Sequence, residues 1–291
     1  MDNLSHLLTA MSVKATVFHN GQYCGNWAVD TSGSHYISFH AISHGQCFIK
    51  RDGSEESVPL SQGDMVIFPK DAKHVITSDS SFKQAINQSA SEGFDALQSD
   101  GTGLVCGYFE HNHPLIDSII QFLPEMIVIP KDDAHNPTLS TLTETLLTVS
   151  KSEQDGTQLL LERISDCIFT LLLRDYIELD RGILAALNQP KLAPAINAIF
   201  EQPAQKWTVE GLAEKCFVSR TGFATLFKET MLMSPMEFIT QWRMGIAHKA
   251  LREGQTSTLA AALDAGYESE ASFSKAFKRV FGVTPGSVRA T

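Results

Sequence analysis

Apolar residues along the first third of the chain gather in short runs. Between about residues 13 and 110, His35–Ile42, Cys47–Lys50 and Met65–Phe68 are separated by Ser43-His44-Gly45, Asp52-Gly53-Ser54 and Ser61-Gln62-Gly63-Asp64. Short runs bounded by turn formers predict β-strands, and many of them at this spacing predict a sandwich or barrel. Ser78 to Gly103 is rich in Ser, Gln, Asn and Gly and reads as a loose surface segment. After Pro130 the period lengthens. Thr138–Val149 and Gln158–Leu179 carry helical patterns, and in the second Leu160, Ile164, Ile168, Leu171 and Leu172 fall on one stripe. The Asn188-Gln189-Pro190 step, followed by Pro194, marks a hinge between domains.

Beyond the hinge, one physical plan occurs twice. Thr208 can cap a helix that buries Leu212 and Ala213; Cys216-Phe217-Val218 makes a turn; Ser219 caps a second helix, Arg220 to Thr230, buried through Phe223, Leu226 and Phe227. Further on, Thr258 opens a helix through Ala262, Ala265-Gly266-Tyr267 turns the chain, and Ser269 caps a helix buried through Phe273, Ala276 and Phe277. Phe227-Lys228 recurs as Phe277-Lys278, and the helix-sized segment Pro235–Arg252 lies between the two units. A short turn that holds a second helix clear of the body lets its outer face enter a major groove. Two such units on one connecting helix can address successive grooves, roughly 34 Å apart. Two helical hairpins of a bundle are the plainer alternative.

Residues 191 to 289 resemble the DNA-binding domain of the AraC/XylS family of transcription regulators. The resemblance is carried by Trp207-Thr208-Val209, Ser219-Arg220, Ser234-Pro235, Trp242-Arg243-Met244, Ala265-Gly266-Tyr267-Glu268-Ser269-Glu270 and Phe281-Gly282-Val283-Thr284-Pro285-Gly286. It implies DNA contacts from Arg220, Thr221, Ala224 and Thr225 on the first recognition helix, and from Glu270, Ala271, Ser274 and Lys275 on the second. Ala224 and Thr225 stand where Gln or Arg often reads bases in this family. They can touch a thymine methyl but cannot make a bidentate guanine contact, so more of the polar readout falls to the second helix and Lys275. Gly222 weakens the first helix by up to ~1 kcal/mol. Lys228, Lys278 and Arg279 are placed for phosphate, which positions without specifying. Arg243 reads equally as a DNA contact or as a structural ion-pair partner.

Residues 15 to about 110 resemble a cupin barrel of the kind fused to some AraC-type regulators. Gly63-Asp64, Pro69, Asp71 and His74 match the second cupin motif, with Asp71 in place of its Gly. The first motif is broken: His35, His40 and His44 are present without a His-x-His pair, and Ser38 stands near the position of its Glu. Strand alternation sends Ser38, His40 and Ile42 to one face, where His40 and His74 can converge. With Cys106, His111 and His113 these residues form the candidate effector or metal set, its chemistry suited to Zn or another divalent metal. The alternative is that each His is a satisfied core or rim residue and Cys106 a small buried hydrophobe. Phe18, Trp27, Phe39, Phe48 and Phe68 either line an effector cavity or form core.

Charge sharpens the division. The net charge of −10 splits into −13 over residues 1–189 (11 Lys and Arg against 24 Asp and Glu) and +3 over 190–291 (12 against 9). Only the second part need meet phosphate. Five scattered Cys without a C-x-x-C pair suit reduced thiols. With no apolar run near the ~18 residues of a membrane helix and no signal-like start, the expected location is the cytoplasm, without membrane association. The expected fold is α+β in two domains. Residues 1–189 form a cupin-like effector-binding and dimerisation domain, with its barrel at about 15–110 and packed helices at about 138–180. Residues 190–291 form an all-α domain with two helix-turn-helix motifs. The expected function is a sequence-specific DNA-binding transcription regulator under a small-molecule or metal effector, not an enzyme. Its partners are double-stranded DNA and, through the stripe Leu160, Ile164, Ile168 and Leu172, a second copy. The alternative is a metal-dependent cupin enzyme carrying a DNA-binding domain.

Overall fold

Strands fill the first half of the chain, after helix α1 (Asn3–Met11), in a computed structural model that describes residues 3–82, 101–175, 181–254 and 256–289. They are β1 (Lys14–Tyr23), β2 (Ala28–Val29), β3 (Ile37–His44), β4 (Gln46–Arg51), β5 (Ser57–Ser61), β6 (Met65–Phe68), β7 (His74–Thr77) and β8 (Thr102–Glu110). Helix α2 (Asp117–Ile120), strand β9 (Ile127–Ile129) and helices α3 (Pro137–Val149) and α4 (Thr157–Asp175) follow. Most of the Ser78–Gly103 segment lies outside the described residues; its end, Thr102-Gly103, already belongs to β8. All strand pairs are antiparallel, in a five-stranded sheet ordered β1-β8-β3-β6-β9 and a four-stranded sheet ordered β2-β7-β4-β5.

The chain divides into two compact units, the first made of Lys14–Glu110 and Leu123–Leu172. Its central strand β3 is buried almost end to end, because both of its faces are covered. On the face of His40, Ile42 joins Trp27, Cys47, Ile49, Leu60, Val66, Phe68, Ile76, Leu104 and Cys106 in the core. On the other, Phe39 packs on Phe109 (5.1 Å between ring centres), which stacks on Phe169 of α4 (4.5 Å). Gly107 makes room for this, since a Cβ there would lie 2.3 Å from the Phe39 ring. Trp27, Phe39 and Phe68 are therefore core, whereas Phe18 is 53% exposed. Edge strand β1 is covered by helix side chains: the Ala15 N–H donates to Asp166 (2.7 Å) and Gln158 donates to the Val17 carbonyl (2.8 Å). Such covering blunts the pairing tendency of a sheet edge.

The apolar row on α4 needs correcting. Ile168 and Leu172 are buried in their own unit, beside Leu161 and Phe169, while Leu160 is 52% exposed. Steps of four residues overshoot a helical turn by about 40° each, so the row winds by roughly 120° from Leu160 to Leu172. The positions that remain open on one face are Leu160 and Cys167, exposed, and Ile164 and Leu171, half-buried.

The second unit gathers three stretches of chain: Met1–Val13, His111–Phe122 and Leu173–Thr291. Of the described residues, 3–13, 111–122, 173–175 and 181–189, on the N-terminal side of the expected 189/190 boundary, belong to this unit, where α1 packs on the helices from Ile183 onward and the segment after His111 packs on the helix that begins at Pro235. The helices of this unit after α2 are α5 (Ile183–Asn188), α6 (Ala193–Glu201), α7 (Val209–Lys215), α8 (Arg220–Met231), α9 (Pro235–Arg252), α10 (Thr258–Asp264), α11 (Glu270–Phe281) and α12 (Pro285–Arg289). Long α9 runs through the unit. It starts in a capping box, with Ser234 and Glu237 bonding each other's backbone N–H. Its Trp242 stacks on Phe200 of α6 (4.1 Å), and Lys249 donates to the Thr9 carbonyl of α1 (2.8 Å).

Gly245 lies mid-helix in α9, where glycine costs roughly 1 kcal/mol relative to alanine. The ring of His113 occupies the place of the missing side chain: a Cβ on Gly245 would lie 2.1 Å from ring atoms Cδ2 and Nε2. Gly245→Ala should therefore lower stability by about 2 kcal/mol despite its better helix propensity. Urea denaturation of both chains checks this, and an equal or higher midpoint for the variant would refute the packing account.

Candidate nucleic-acid interface and a buried histidine pair

Both helix-turn-helix motifs are held by side-chain caps, three of them the expected Thr208, Ser219 and Ser269, while the helix that Thr258 opens is capped by the preceding Ser257. Thr208 accepts from the Gly211 N–H (3.1 Å) at α7, and Ser219 from the Gly222 N–H (3.1 Å) at α8. Ser257 accepts from Ala260 (3.1 Å) at α10, and Ser269 from Ser272 (3.2 Å) at α11. Gly222 thus sits in the first turn, where its N–H is already taken by the cap. Both turns pivot on a left-handed residue: Gly266 at φ +76° in the second and Phe217 at φ +54° in the first. Phe217 is 96% exposed, so its backbone strain, on the order of 1 kcal/mol, is not offset by burial of its ring.

Phe223 and Phe227 turn α8 inward, and Phe273, Ala276 and Phe277 do the same for α11. Leu226 is only half-buried. The opposite faces are open. Arg220, Thr221, Thr225 and Lys228 are exposed on α8, as are Glu270, Ala271, Lys275, Lys278 and Arg279 on α11; Ala224 and Ser274 are half-buried. Arg220 is held by Glu210 of α7 (2.8 Å). Among the described residues, Lys228, Lys275, Lys278 and Arg279 have no carboxylate within ion-pairing distance, which leaves four cations available to an anion. Arg243 donates to two backbone carbonyls, those of Pro203 and Gln205, rather than to a carboxylate.

In the first unit His40 and His74 do converge, with Nε2 atoms 3.3 Å apart. Thr31 joins them, its Oγ1 3.0 Å from each Nε2. His74 Nδ1 lies 2.7 Å from the Ala72 carbonyl and must donate to it, so His74 Nε2 is an acceptor. It can take the Thr31 hydroxyl proton, while Thr31 accepts from His40 Nε2–H; these proton positions follow from the network. The trio is neutral and closed, except that His40 Nδ1 is buried without a partner. Burial holds His40 well below the usual imidazole range, helped by the nearby His74 and His19, and burial also lowers His74. Nothing in the sequence motif pointed to Thr31. Asp71, the departure from the second motif, sits at φ +51° and accepts the His35 N–H (2.6 Å). Aspartate is among the few residues that tolerate this region, so it can replace glycine there.

Cys106 pairs with His40 in the β3–β8 register, but burial raises its thiol far above the range in which a thiolate forms. His111 and His113 belong to the other unit. Zn needs three or four donors, and the barrel interior offers two imidazoles and a hydroxyl. Among the described residues no three His, Cys, Asp or Glu side chains gather as a metal site. The donor set therefore does not fit Zn.

Comparison with known proteins also finds two parts in the chain, with bounds that differ from the two compact units. Residues 2–178 match the family model described as cupin, and residues 212–291 one described as helix-turn-helix domain. An AraC-like transcription regulator of Streptomyces lividans is 29% identical over 99% of this chain and 98% of its own. The chain belongs to the AraC/XylS family, with an N-terminal cupin domain. The transcriptional activator RclR of Escherichia coli, described as RCS-specific, is 28% identical over 99% of this chain and 97% of its own. Among solved structures, ToxT of Vibrio cholerae aligns over 96% of this chain and 97% of its own, at 11% identity and a TM-score of 0.40. This AraC/XylS member is thus a transcriptional regulator with a helix-turn-helix DNA-binding domain, and among its described residues no helix is long and apolar enough to cross a membrane.

The neutral histidines of this AraC/XylS chain make its stability depend on pH. Burial lowers His113 to about 3, with His248 adding to the effect, and its Nδ1 accepts from the Leu115 N–H (3.2 Å). His40 is shifted in the same direction. Unfolded, each returns to about 6.5, so between those values the unfolded chain binds more protons. The contribution is complete above pH ~6.5 and declines as pH falls toward the folded value, at up to ~1.4 kcal/mol per pH unit for each histidine. The urea midpoint should therefore drop between pH 7 and 5.5, a window above most carboxylate titration; an unchanged midpoint would contradict the burial of neutral histidines.

Proposed function

We propose that this protein is a cytoplasmic, sequence-specific DNA-binding regulator that acts as a dimer and answers to a small molecule in its cupin domain. The observation that carries the reading is the pair of capped recognition helices with open outer faces, bearing Lys228, Lys275, Lys278 and Arg279, none of which lies within ion-pairing distance of a carboxylate among the described residues. A negatively charged first half and a positive last third fit a chain in which only one part meets phosphate. On this reading Arg220, Thr221, Ala224 and Thr225 face one groove, and Glu270, Ala271, Ser274 and Lys275 the next. Lys228, Lys278 and Arg279 hold the backbone. Arg220 reaches DNA only by sharing its guanidinium with Glu210. The His40–Thr31–His74 trio, with the bare His40 Nδ1 acceptor, supports an uncharged polar effector that brings a hydrogen-bond donor. Its binding would shift the population of DNA-competent arrangements.

On this reading the second copy docks on α4. Leu160, Ile164, Cys167 and Leu171 recur in steps of four, three and four, the spacing of a straight helix–helix seam. Two-fold symmetry would then present paired reading heads to paired half-sites.

Selection of bound duplexes from a random pool at two salt concentrations should enrich paired motifs. Against the enriched site, Lys275→Ala should relax preference at one step by about 1–3 kcal/mol, whereas Lys278→Ala should weaken all duplexes alike and shallow the salt slope by about one. Uniform losses from both would show that the division of roles is wrong, and no enrichment by the full chain would count against sequence-specific binding. On α4, Ile164→Glu should convert the dimer to a monomer in analytical ultracentrifugation; a persisting dimer would place the interface elsewhere.

A further inference from the structure

The five residues before the first helix-turn-helix, Gln202–Lys206, are held by the second one and by the helix between them. Four successive carbonyls are engaged. That of Gln202 accepts from Trp207 Nε1 (3.0 Å), and that of Pro203 from Arg243 Nε (2.7 Å). The Gln205 carbonyl accepts from Arg243 Nη2 (2.7 Å) and from the Trp207 N–H (2.8 Å). The Ala204 carbonyl rests on Gly266, where a Cβ would lie 2.6 Å from its oxygen. Beyond it, Lys206 Nζ meets Glu268 Oε1 (2.6 Å), an exposed pair.

These contacts reach three separate elements. Trp207 leads into α7 and is itself buried; Arg243 stands near the middle of α9; Gly266 and Glu268 belong to the turn between α10 and α11. A single helix between two reading heads leaves them free to bend and twist against each other. A second connection, fixed at both ends and pinned at its middle, removes that freedom. Gly266 answers to two demands at once, a left-handed φ and close contact with a backbone oxygen, whereas the equivalent position of the first motif, Phe217, meets only the first. Guanidinium suits the Arg243 position because its planar fork gives two well-directed donors to two carbonyls.

We infer that Gln202–Lys206, clamped by Arg243 and seated on Gly266, is a strut that fixes the two recognition helices relative to each other and so sets the spacing of the motifs they read. Arg243 and Gly266 are positioning residues that touch no base. The inference rests on the DNA-binding reading above. Two linked reading heads gain affinity only when both can engage at once, so loosening the strut should weaken the requirement for spacing and leave each head intact.

The test uses the full chain and duplexes built from one enriched half-site, in which the motifs read by the two recognition helices of one chain are separated by a spacer changed by up to two base pairs either way, beside a duplex carrying only one of these two motifs. Arg243→Met and Gly266→Ala should each bind the single-motif duplex within about twofold of the unmodified chain, lose about tenfold or more on the best-spaced pair, and flatten or shift the spacing profile. Arg243→Lys, which keeps one donor direction, should fall between. An unchanged profile in both variants would overturn the strut, and so would parallel loss of single- and paired-motif binding, which marks a folding role instead. If the unmodified chain enriches no motif, the DNA-binding reading itself falls, a result distinct from any change of profile.

Discussion

Close approach to the backbone of α9 is the constraint on which the helical unit depends. A helix of ordinary side chains keeps its neighbours 8–10 Å away, axis to axis. At Gly245 this spacing is given up, and the His113 ring lies against the helix backbone. One turn earlier Trp242 stacks on Phe200, and Arg243 turns outward to hold the segment before α7. Toward the C-terminal end, His248 stacks on Phe277 of the second recognition helix (5.9 Å, nearly parallel). One helix therefore receives the chain segment from 111 to 117, the entry to the first motif and the core of the second. Charge has little place in such packing. His113 stays neutral because its surroundings leave a proton nowhere to be solvated, and the same physics keeps His40 neutral in the other unit.

The cupin unit solves a different problem. A five-stranded sheet with one face on a second sheet still has another face to cover, and α4 covers it through Phe169. The polar trio Thr31, His40 and His74 survives inside the sandwich because its groups bond one another, all but His40 Nδ1. A closed set of neutral hydrogen bonds costs far less to bury than an unpaired charge. It also leaves one uncommitted ring nitrogen, too few donors for a zinc site.

Much of this was legible in the sequence, for reasons that differ by region. The caps Thr208, Ser219 and Ser269 were readable because a small hydroxyl residue before an amphipathic helix has a local meaning. The strands were readable from apolar runs between turn formers, and the meeting of His40 with His74 from alternation plus one motif. What escaped depends on contacts distant in sequence. The burial of Ile168 and Leu172 turns on which face of α4 meets Phe109, and no pattern within the helix states it. Thr31 belongs to no motif, and Arg243 could be assigned only once its carbonyl partners, nearly forty residues earlier, came beside it. The gathering of residues 1–13 and 111–122 onto α9 leaves no periodic trace, because a short amphipathic helix does not declare its partner.

That gathering also imposes an order of events on synthesis. Helix α1 precedes its partners by a long stretch of chain: Leu7 and Met11 are completely buried, yet α5, α6 and α9, on which the helix packs, begin only at Ile183, Ala193 and Pro235. At roughly 5–20 residues per second, those apolar side chains stay uncovered for about nine to thirty-five seconds before the first of these partners is made, while the whole sandwich is built in between. Helix α1 is thus completed in folding long after it is synthesised, and for that interval it is a segment that a chaperone can hold.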